Sequence, residues 1–412
     1  MESILIFALT LIGITAILWR FRLPPFFALT GAALFYGFLS GMQEMTIVFT
    51  TQGAGKIFAL LAIPIFCGSL IAQVVRQEKY GSRIVTDIEK LSGKPALSSG
   101  IVGYLLSIPL MCCMTAYVVM VPLVENLKVD EHVRKKCFYA AAIGSTLSFV
   151  LLFPLPVLYS ITTNLGIENV AAFNGITLPA SIVLFIIGYL VLWKKDVLAD
   201  VWKGSDELAK NISRIAWIPI LLPILLLAIG YAYQGFSLLT NINLAMFLAA
   251  LFSLFLLKEK NRSVVFEKGT KNAGIILLDL CGAGALGGVI AASSLADDTY
   301  LLLEGAFPII VIPFILAALV QTAQGSRVVT AIVASSIIAQ SSYAAELTAS
   351  SLILMISAGT LIVSYVTDPY FWLIQRTTKD SIREVICNYT LPLATLGLLL
   401  FAATLVLDAF LF

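Results

Sequence analysis

Charge is what this chain has least of. Asp, Glu, Lys and Arg make up 12% of its 412 residues, against 59% hydrophobic, with a mean hydropathy of +0.98. A soluble domain covers its surface with roughly 25% charge, so a soluble domain is excluded and the composition describes an all-α polytopic membrane protein whose first partner is the lipid bilayer. Histidine is scarcer still. The only one, His132, lies in a polar segment, so no HExxH motif exists. None of the six cysteines (67, 112, 113, 137, 281, 387) has zinc-ligand spacing with it, and they read as reduced packing residues with no metal site. No nucleophile with a base and no recognisable aspartate-protease pair is present, which argues against an enzyme. Loops of roughly 20 residues leave no room for a P-loop, which excludes ATP coupling in this chain. The net charge of +2, spread over loops, excludes nucleic acid as a partner. No small-residue cleavage signature follows the run from Ile4 to Trp19, so it reads as a span and not a signal peptide.

What is present is a series of apolar runs. Ten are long enough to cross, at about 17–25 residues each: 4–19, 24–41, 57–75, 137–163, 178–193, 215–234, 240–257, 272–292, 347–374 and 385–411. Two more, 97–124 and 305–340, exceed one span but fall short of two. Each has helix-disfavouring residues in its middle, Pro109, Cys112, Cys113 and Thr115 in one and Gln321 to Ser326 in the other. Both are expected to be re-entrant hairpins.

The charges test that expectation. Of the 26 Lys and Arg, 24 fall in segments 20–22, 76–94, 125–136, 194–214, 258–271 and 375–384; only Lys56 and Arg327 lie elsewhere. With both termini outside the inner membrane, ten crossings and two hairpins put all 24 inside, as the positive-inside rule requires, and leave Glu44, Glu168, Asp297, Asp298, Glu304 and Glu346 outside. Counting either hairpin as a crossing inverts every later loop. An offset of roughly 210 residues aligns the runs at 4, 24 and 57 with those at 215, 240 and 272, Thr115 with Ser326, and Pro156 with Asp368. The expected organisation is a first repeat, 1–194, with its hairpin on the cytoplasmic side, a cytoplasmic linker, 195–214, and a second repeat, 215–412, with its hairpin outside. Inverted repeats of this kind suit alternating-access transport.

Broken helices within a membrane are tolerated only where protein or a watery cavity satisfies the freed backbone, so the breaks locate the site. Four are expected: the two hairpin centres, the segment Phe153 to Pro156 with Gly144, Ser145 and Thr146 before it, and the segment Ser364 to Pro369. Half-helix N-termini there suit a carboxylate, so an anionic or polar small solute is expected. The candidate substrate-binding residues are Thr115, Ser145, Thr146, Gln324, Gly325, Ser326, Arg327 and Thr367, and the candidate ion-coupling residues are Asp368 and Asp279. Asp368 reads either as an N-cap followed by Pro369 or as a substrate or proton site. Arg327 reads either as the ion-pair partner of Asp279 or Asp368 or as a bidentate clamp on a carboxylate. Asp279 is a candidate proton carrier, Gly282, Gly284, Gly287 and Gly288 are expected to serve close helix packing, and Lys56 is expected to snorkel from the start of a span to the outer interface.

The stretches CGAGALGGVIAASS at 281–294, TAQGSRVVTAIVASSI at 322–337 and SAGTLIVSYVTDPYFWLIQ at 357–375 resemble the gluconate permease family of the ion transporter superfamily, as does IPLMCCMTAYVVMVPLV at 108–124. Asp368, Pro369, Phe371 and Trp372 match the most specific element. The resemblance covers nearly the whole chain. It implies a scaffold with two opposed hairpins, a homodimer, no cofactor, and proton-coupled uptake of sugar acids or related hydroxy and amino acids. A Na⁺-coupled carboxylate or amino-acid carrier is the alternative, and an anion channel a more distant one. Met114 stands where the family has an acid, the break at Phe153 to Pro156 lacks the family's histidine, and Arg327 stands where a small residue is usual. Acid is thus lost at one place and charge gained at Arg327 and Asp279, which puts gluconate itself in question and keeps a small anion.

Overall fold

The structure, a computed structural model, describes residues 2–411 except 22, 93, 126, 128, 168–169, 194–211, 233, 296–297, 299–301, 303–306, 342 and 366. The expected linker therefore lies almost wholly outside the described residues, as do Glu168, Asp297 and Glu304. All regular structure among the described residues is helical. The principal helices are α1 (Glu2–Phe21), α2 (Pro25–Leu39), α3 (Met45–Gln77), α4 (Tyr80–Ser92), α5 (Pro95–Leu110), α6 (Cys113–Glu125), α7 (Glu131–Leu151), α8 (Pro156–Asn164), α9 (Asn174–Trp193), α10 (Ile218–Ala232), α11 (Ile242–Phe255), α12 (Arg262–Ala291), α13 (Ile312–Gln324), α14 (Arg327–Ala339), α15 (Ala349–Ile362), α16 (Pro369–Thr378) and α17 (Leu391–Leu411).

Five stretches among the described residues are long and apolar enough to cross a membrane: Met45–Gln77, Glu131–Asn164, Arg214–Ala232, Glu259–Ala291 and Ile382–Ala409. The two anomalous runs become pairs of short helices. At a rise of about 1.5 Å per residue, a helix the length of α6, α13 or α14 reaches about 20 Å, short of a hydrocarbon core of about 30 Å. Met111, in the left-handed region at φ 54°, and Cys112 turn α5 into α6. Helix α4 leads into α5 yet packs against the last turns of α6, where a Cβ at Gly81 would meet Leu123 and Val119.

Two features differ from the sequence reading. Segment 76–94 contains helix α4, whose Ile84, Val85 and Ile88 are buried while Arg83 and Asp87 form an i, i+4 ion pair at 3.1 Å. Its amphipathic period was masked by the density of charge in that segment. Helix α3 starts at Met45, so Lys56 sits inside it and not before it. Its Nζ donates to Asn164 Oδ1 at 3.0 Å, and the Asn164 amide donates in turn to Ile332 O, Ser335 Oγ and Ser336 Oγ, joining α3, α8 and α14.

Long helices α3 and α12 cross through glycine. A Cβ on Gly288 would stand 2.7 Å from Phe49 O and 2.9 Å from Gly53 Cα, and Gly53 and Gly284 face one another as closely. Gly282 abuts Phe26 and Gly287 abuts Ser336 and Ile332. Gly282, Gly284 and Gly288 thus let backbones approach, which is how helices associate where lipid removes the hydrophobic drive between them, while Gly287 makes room for side chains. Overpacking such a contact costs about 1–3 kcal/mol or more. Gly284→Leu should therefore lower the thermal midpoint and the monodisperse fraction of detergent-purified protein, whereas Gly274→Ala, on the same helix with nothing within 4 Å of its Cβ position, should leave both unchanged.

Candidate functional site at two helix breaks

The first break separates α7 from α8. Pro156 opens α8 at its first position and the Phe153–Pro154 peptide is cis. The freed backbone of Phe153 is met by one side chain: its N–H donates to Asn174 Oδ1 at 2.9 Å, and Asn174 Nδ2 donates to Phe153 O at 3.1 Å. An apolar cavity of about 500 Å³ lies alongside, lined by Ile108, Phe153, Pro154, Leu227 and Met246 with Asn174 and Tyr231 as its polar members.

The second break separates α15 from α16. Asp368 is the N-cap of α16, its Oδ1 accepting the Tyr370 N–H at 2.8 Å, with Pro369 following at the first helical position. The turn between α13 and α14 meets this break directly. Gly325 has φ 77°, and a Cβ there would lie 2.5 Å from the Asp368 amide nitrogen. Only glycine suits both the left-handed conformation and the close approach. Gln321 holds the turn by donating to Gly325 O at 2.9 Å and accepting from Thr330 Oγ1 at 2.8 Å, while Thr367 Oγ1 donates to Thr322 O at 3.1 Å.

This contact delivers Arg327, the first residue of α14, to Asp368. Both are buried, at 4% and 2% exposure, and Arg327 Nη1 lies 3.2 Å from Asp368 Oδ2. Nη2 donates to Ser364 Oγ at 3.0 Å and to Tyr389 Oη at 3.1 Å. Ser364 also donates to Asp368 Oδ2, and its carbonyl accepts from Thr390 Oγ1. Arg327 Nε is buried with no partner among the described residues. The network reaches the first half of the chain: Thr146 Oγ1 is hydrogen-bonded to Tyr389 Oη at 3.3 Å and Ser145 Oγ to Tyr370 Oη at 2.8 Å. The Tyr117 ring of α6 packs edge-on against Tyr370, centroids 5.4 Å apart.

Of the residues singled out from sequence, Ser145, Thr146, Arg327 and Asp368 meet in this one network, and Gly325 and Thr367 adjoin it. Of the two readings of Arg327, the ion pair with Asp368 is present, as is the N-cap reading of Asp368. Ser326 precedes Arg327 and accepts from the Thr330 N–H through its carbonyl. Thr115 is half-buried on α6, its N–H directed at Cys112 Sγ at 3.5 Å. The side chain of Gln324 lies outside the described residues. Asp279 is elsewhere: its Oδ1 accepts the Phe26 N–H at 3.2 Å, capping the start of α2 from a neighbouring helix.

Sequence reasoning missed the roles of Asn174, Ser364, Tyr370 and Tyr389. Tyr389 lies in the polar trio Asn388–Thr390 within an apolar run, and that trio coincides with a π-helical turn at Ile386–Thr390. Such turns accompany functional sites, so the trio was a usable signal.

An apolar helical body with five stretches able to cross a membrane among the described residues, and a buried ion pair where the α13–α14 turn meets a helix break, is that of an integral membrane protein. The GntP family permease profile matches residues 2–410, and the chain belongs to that family. An uncharacterized permease of Haemophilus influenzae is 27% identical over 87% of this chain and 82% of its own length. The low-affinity gluconate transporter of Escherichia coli K12 is 24% identical, with 91% of each chain covered. Among solved structures, Neisseria gonorrhoeae MtrF, described with a class of antimetabolite efflux pumps, shares the fold at a TM-score of 0.56 with 13% identity, over 94% of this chain and 96% of that one.

Removing one member of a buried pair leaves the other charge uncompensated, at a cost of about 3–5 kcal/mol, whereas replacing both is far milder. Asp368→Leu should therefore reduce the folded yield and melting temperature sharply. The double variant Arg327→Met with Asp368→Leu should recover most of that loss, as read by size-exclusion profiles and thermal melts. A double variant no more stable than the single one would show that the pair does not hold this junction.

Proposed function

We propose that this permease imports a small hydroxylated carboxylate, of the sugar-acid or hydroxy-acid class, in symport with protons, by alternating access of two inverted repeats. The observation that carries the reading is the buried Arg327–Asp368 pair, with an unpartnered guanidinium Nε, set among the hydroxyls of Ser145, Thr146, Ser364 and Tyr389. Arginine recognises carboxylates in a planar, directional manner, and the hydroxyls match the polyol body of a sugar acid. The gluconate transporter among the relatives agrees with this class.

In the proposed cycle, a proton on Asp368 dissolves the ion pair and frees Arg327 Nη1 for the substrate carboxylate. One proton thereby admits one negative charge. The pairs α5–α6 and α13–α14 act as opposed re-entrant hairpins whose turns close on the site from the two sides of the membrane. The tight turn at Met111 and Cys112 between α5 and α6 supports this topology, as does the grouping of the 24 loop cations. Asp279, whose Oδ1 accepts the Phe26 N–H at the start of α2, belongs to a different network and is left out of the proposed cycle.

Proteoliposomes test the coupling. D-gluconate and a panel of hydroxy acids should accumulate under an inward proton gradient without Na⁺. In Asp368→Asn, exchange of labelled substrate should survive while accumulation and its pH dependence are lost. Accumulation by that variant with an unchanged pH profile would remove the proton role. Arg327→Lys keeps the charge but not the planar fork and should raise KM at least tenfold while expression holds; wild-type affinity there would reject the carboxylate contact.

Topology is tested separately. In a cysteine-free background, Ala345→Cys should label from outside and Ser92→Cys only after permeabilisation. The reverse pattern would overturn the hairpin arrangement.

A further inference from the structure

A second cavity, of about 310 Å³, lies away from the charged junction, in the corner between the end of α3, the start of α4 and the end of α6. Its walls are apolar: Val75, Val85, Val119, Pro122, Leu123 and Leu127. Arg76, Lys79, Ser82 and Thr86 complete the lining, with the two cations exposed. Neither cation has a carboxylate partner among the described residues, because the nearby acids are engaged elsewhere. Glu78 accepts from the Lys258 N–H at 3.2 Å and from Asn261 Nδ2 at 2.8 Å in the connection between α11 and α12. Asp87 accepts from Arg83 at 3.2 Å and from Trp217 Nε1 at 2.9 Å. Lys79 also holds the left-handed region at φ 57°, where glycine or asparagine is the easier choice.

We propose that this pocket binds an anionic phospholipid, its phosphate against Arg76, Lys79 and the Ser82 hydroxyl and the first part of one acyl chain against the six apolar walls. The chemistry is divided to suit such a molecule. Two uncompensated cations at the mouth attract a phosphate, as basic pockets between transmembrane helices do on the cytoplasmic side. A soluble anion would gain nothing from the apolar floor, and a neutral lipid nothing from the cations. The volume is at the lower limit for a small-molecule pocket: it takes the glycerophosphate end and part of one chain, with the remainder of the lipid left in the bilayer. The two cations of the corner lie in segment 76–94, part of the cation-rich set read as cytoplasmic, so the lipid is one of the inner leaflet.

Native mass spectrometry of the detergent-purified protein tests it, with phosphatidylglycerol, phosphatidylcholine of the same chains, and glycerol 3-phosphate as probes. Phosphatidylglycerol adducts should form at a concentration at least fivefold lower than phosphatidylcholine adducts, and glycerol 3-phosphate should not compete. The double variant Arg76→Gln with Lys79→Gln should bring phosphatidylglycerol down to the phosphatidylcholine level, while Lys260→Gln, on the same side but outside the pocket, should change nothing. Lys79→Gly guards against misfolding, since it removes the charge and suits the left-handed backbone; it should weaken phosphatidylglycerol binding with an undiminished melting temperature. Equal binding of the two lipids by the wild type, or phosphatidylglycerol binding untouched by the double variant and by Lys79→Gly, would overturn the proposal. Competition by glycerol 3-phosphate at equal concentration would overturn it in favour of a soluble-anion site.

Discussion

One buried contact, Arg327 against Asp368, fixes the electrostatics of the whole junction. Each residue sits at a helix N-terminus, where unpaired N–H groups give the helix a partial positive charge. That field favours Asp368 as the cap of α16 and disfavours Arg327 at the first position of α14. The aspartate thus answers three positive sources at once: its own helix end, the end of α14 and the guanidinium. The carboxyl ends of α13 and α15 meet at the same turn and break, so their partial negative charges offset the two amino ends and the junction balances near neutrality.

Such a junction needs backbone support, because polar groups freed by a helix break have no water to turn to inside an apolar body. The two breaks find it differently. At Phe153 a single carboxamide, Asn174, takes both the N–H and the carbonyl. At the second break the partners are spread out: Asp368 takes the Tyr370 N–H, Thr390 donates to the Ser364 carbonyl, and the α13–α14 turn lies against Thr367 through Gly325. A larger residue at Gly325 would part the turn from the break and with it Arg327 from Asp368, so the ion pair rests on a missing side chain.

Much of this was legible in the sequence, and the reason is physical. Apolar runs of the wrong length announce the short helix pairs, and prolines with polar residues in the middle of an apolar run announce the breaks, so α5–α6, α13–α14 and both interruptions were expected at nearly their observed positions. Single charges among apolar residues likewise drew attention to Arg327 and Asp368. Partner choice was not legible. Asp279 and Asp368 are the same residue type in similarly apolar surroundings, and only the three-dimensional arrangement sends one to the Phe26 amide and the other to Arg327. The hydroxyl network was hidden for a related reason, since Tyr370 and Tyr389 pass in sequence for ordinary aromatic residues of a membrane helix until their Oη atoms are seen on Ser145, Thr146 and Arg327. Helix α4 was concealed by its own charges, which read as a loop because half of its surface is polar.

The occupied state of Arg327 bears on how the proposed symport couples its two passengers. Nη1 holds Asp368 and Nη2 holds Ser364 and Tyr389 while Nε is free, so a substrate carboxylate that takes the Nη1 position must displace Asp368. If Asp368 stayed ionised, that displacement would strand a buried carboxylate without its counter-ion, at a cost of about 3–5 kcal/mol, comparable to what a new arginine–carboxylate contact returns. A proton removes the penalty. The neutral acid needs no counter-ion, keeps an oxygen for the Tyr370 N–H, and turns an O–H toward Ser364, which already lies within hydrogen-bonding reach. Under that scheme the same guanidinium never faces two anions or none, and binding of the anion and of the proton become one event because the site holds exchangeable room for a single negative charge.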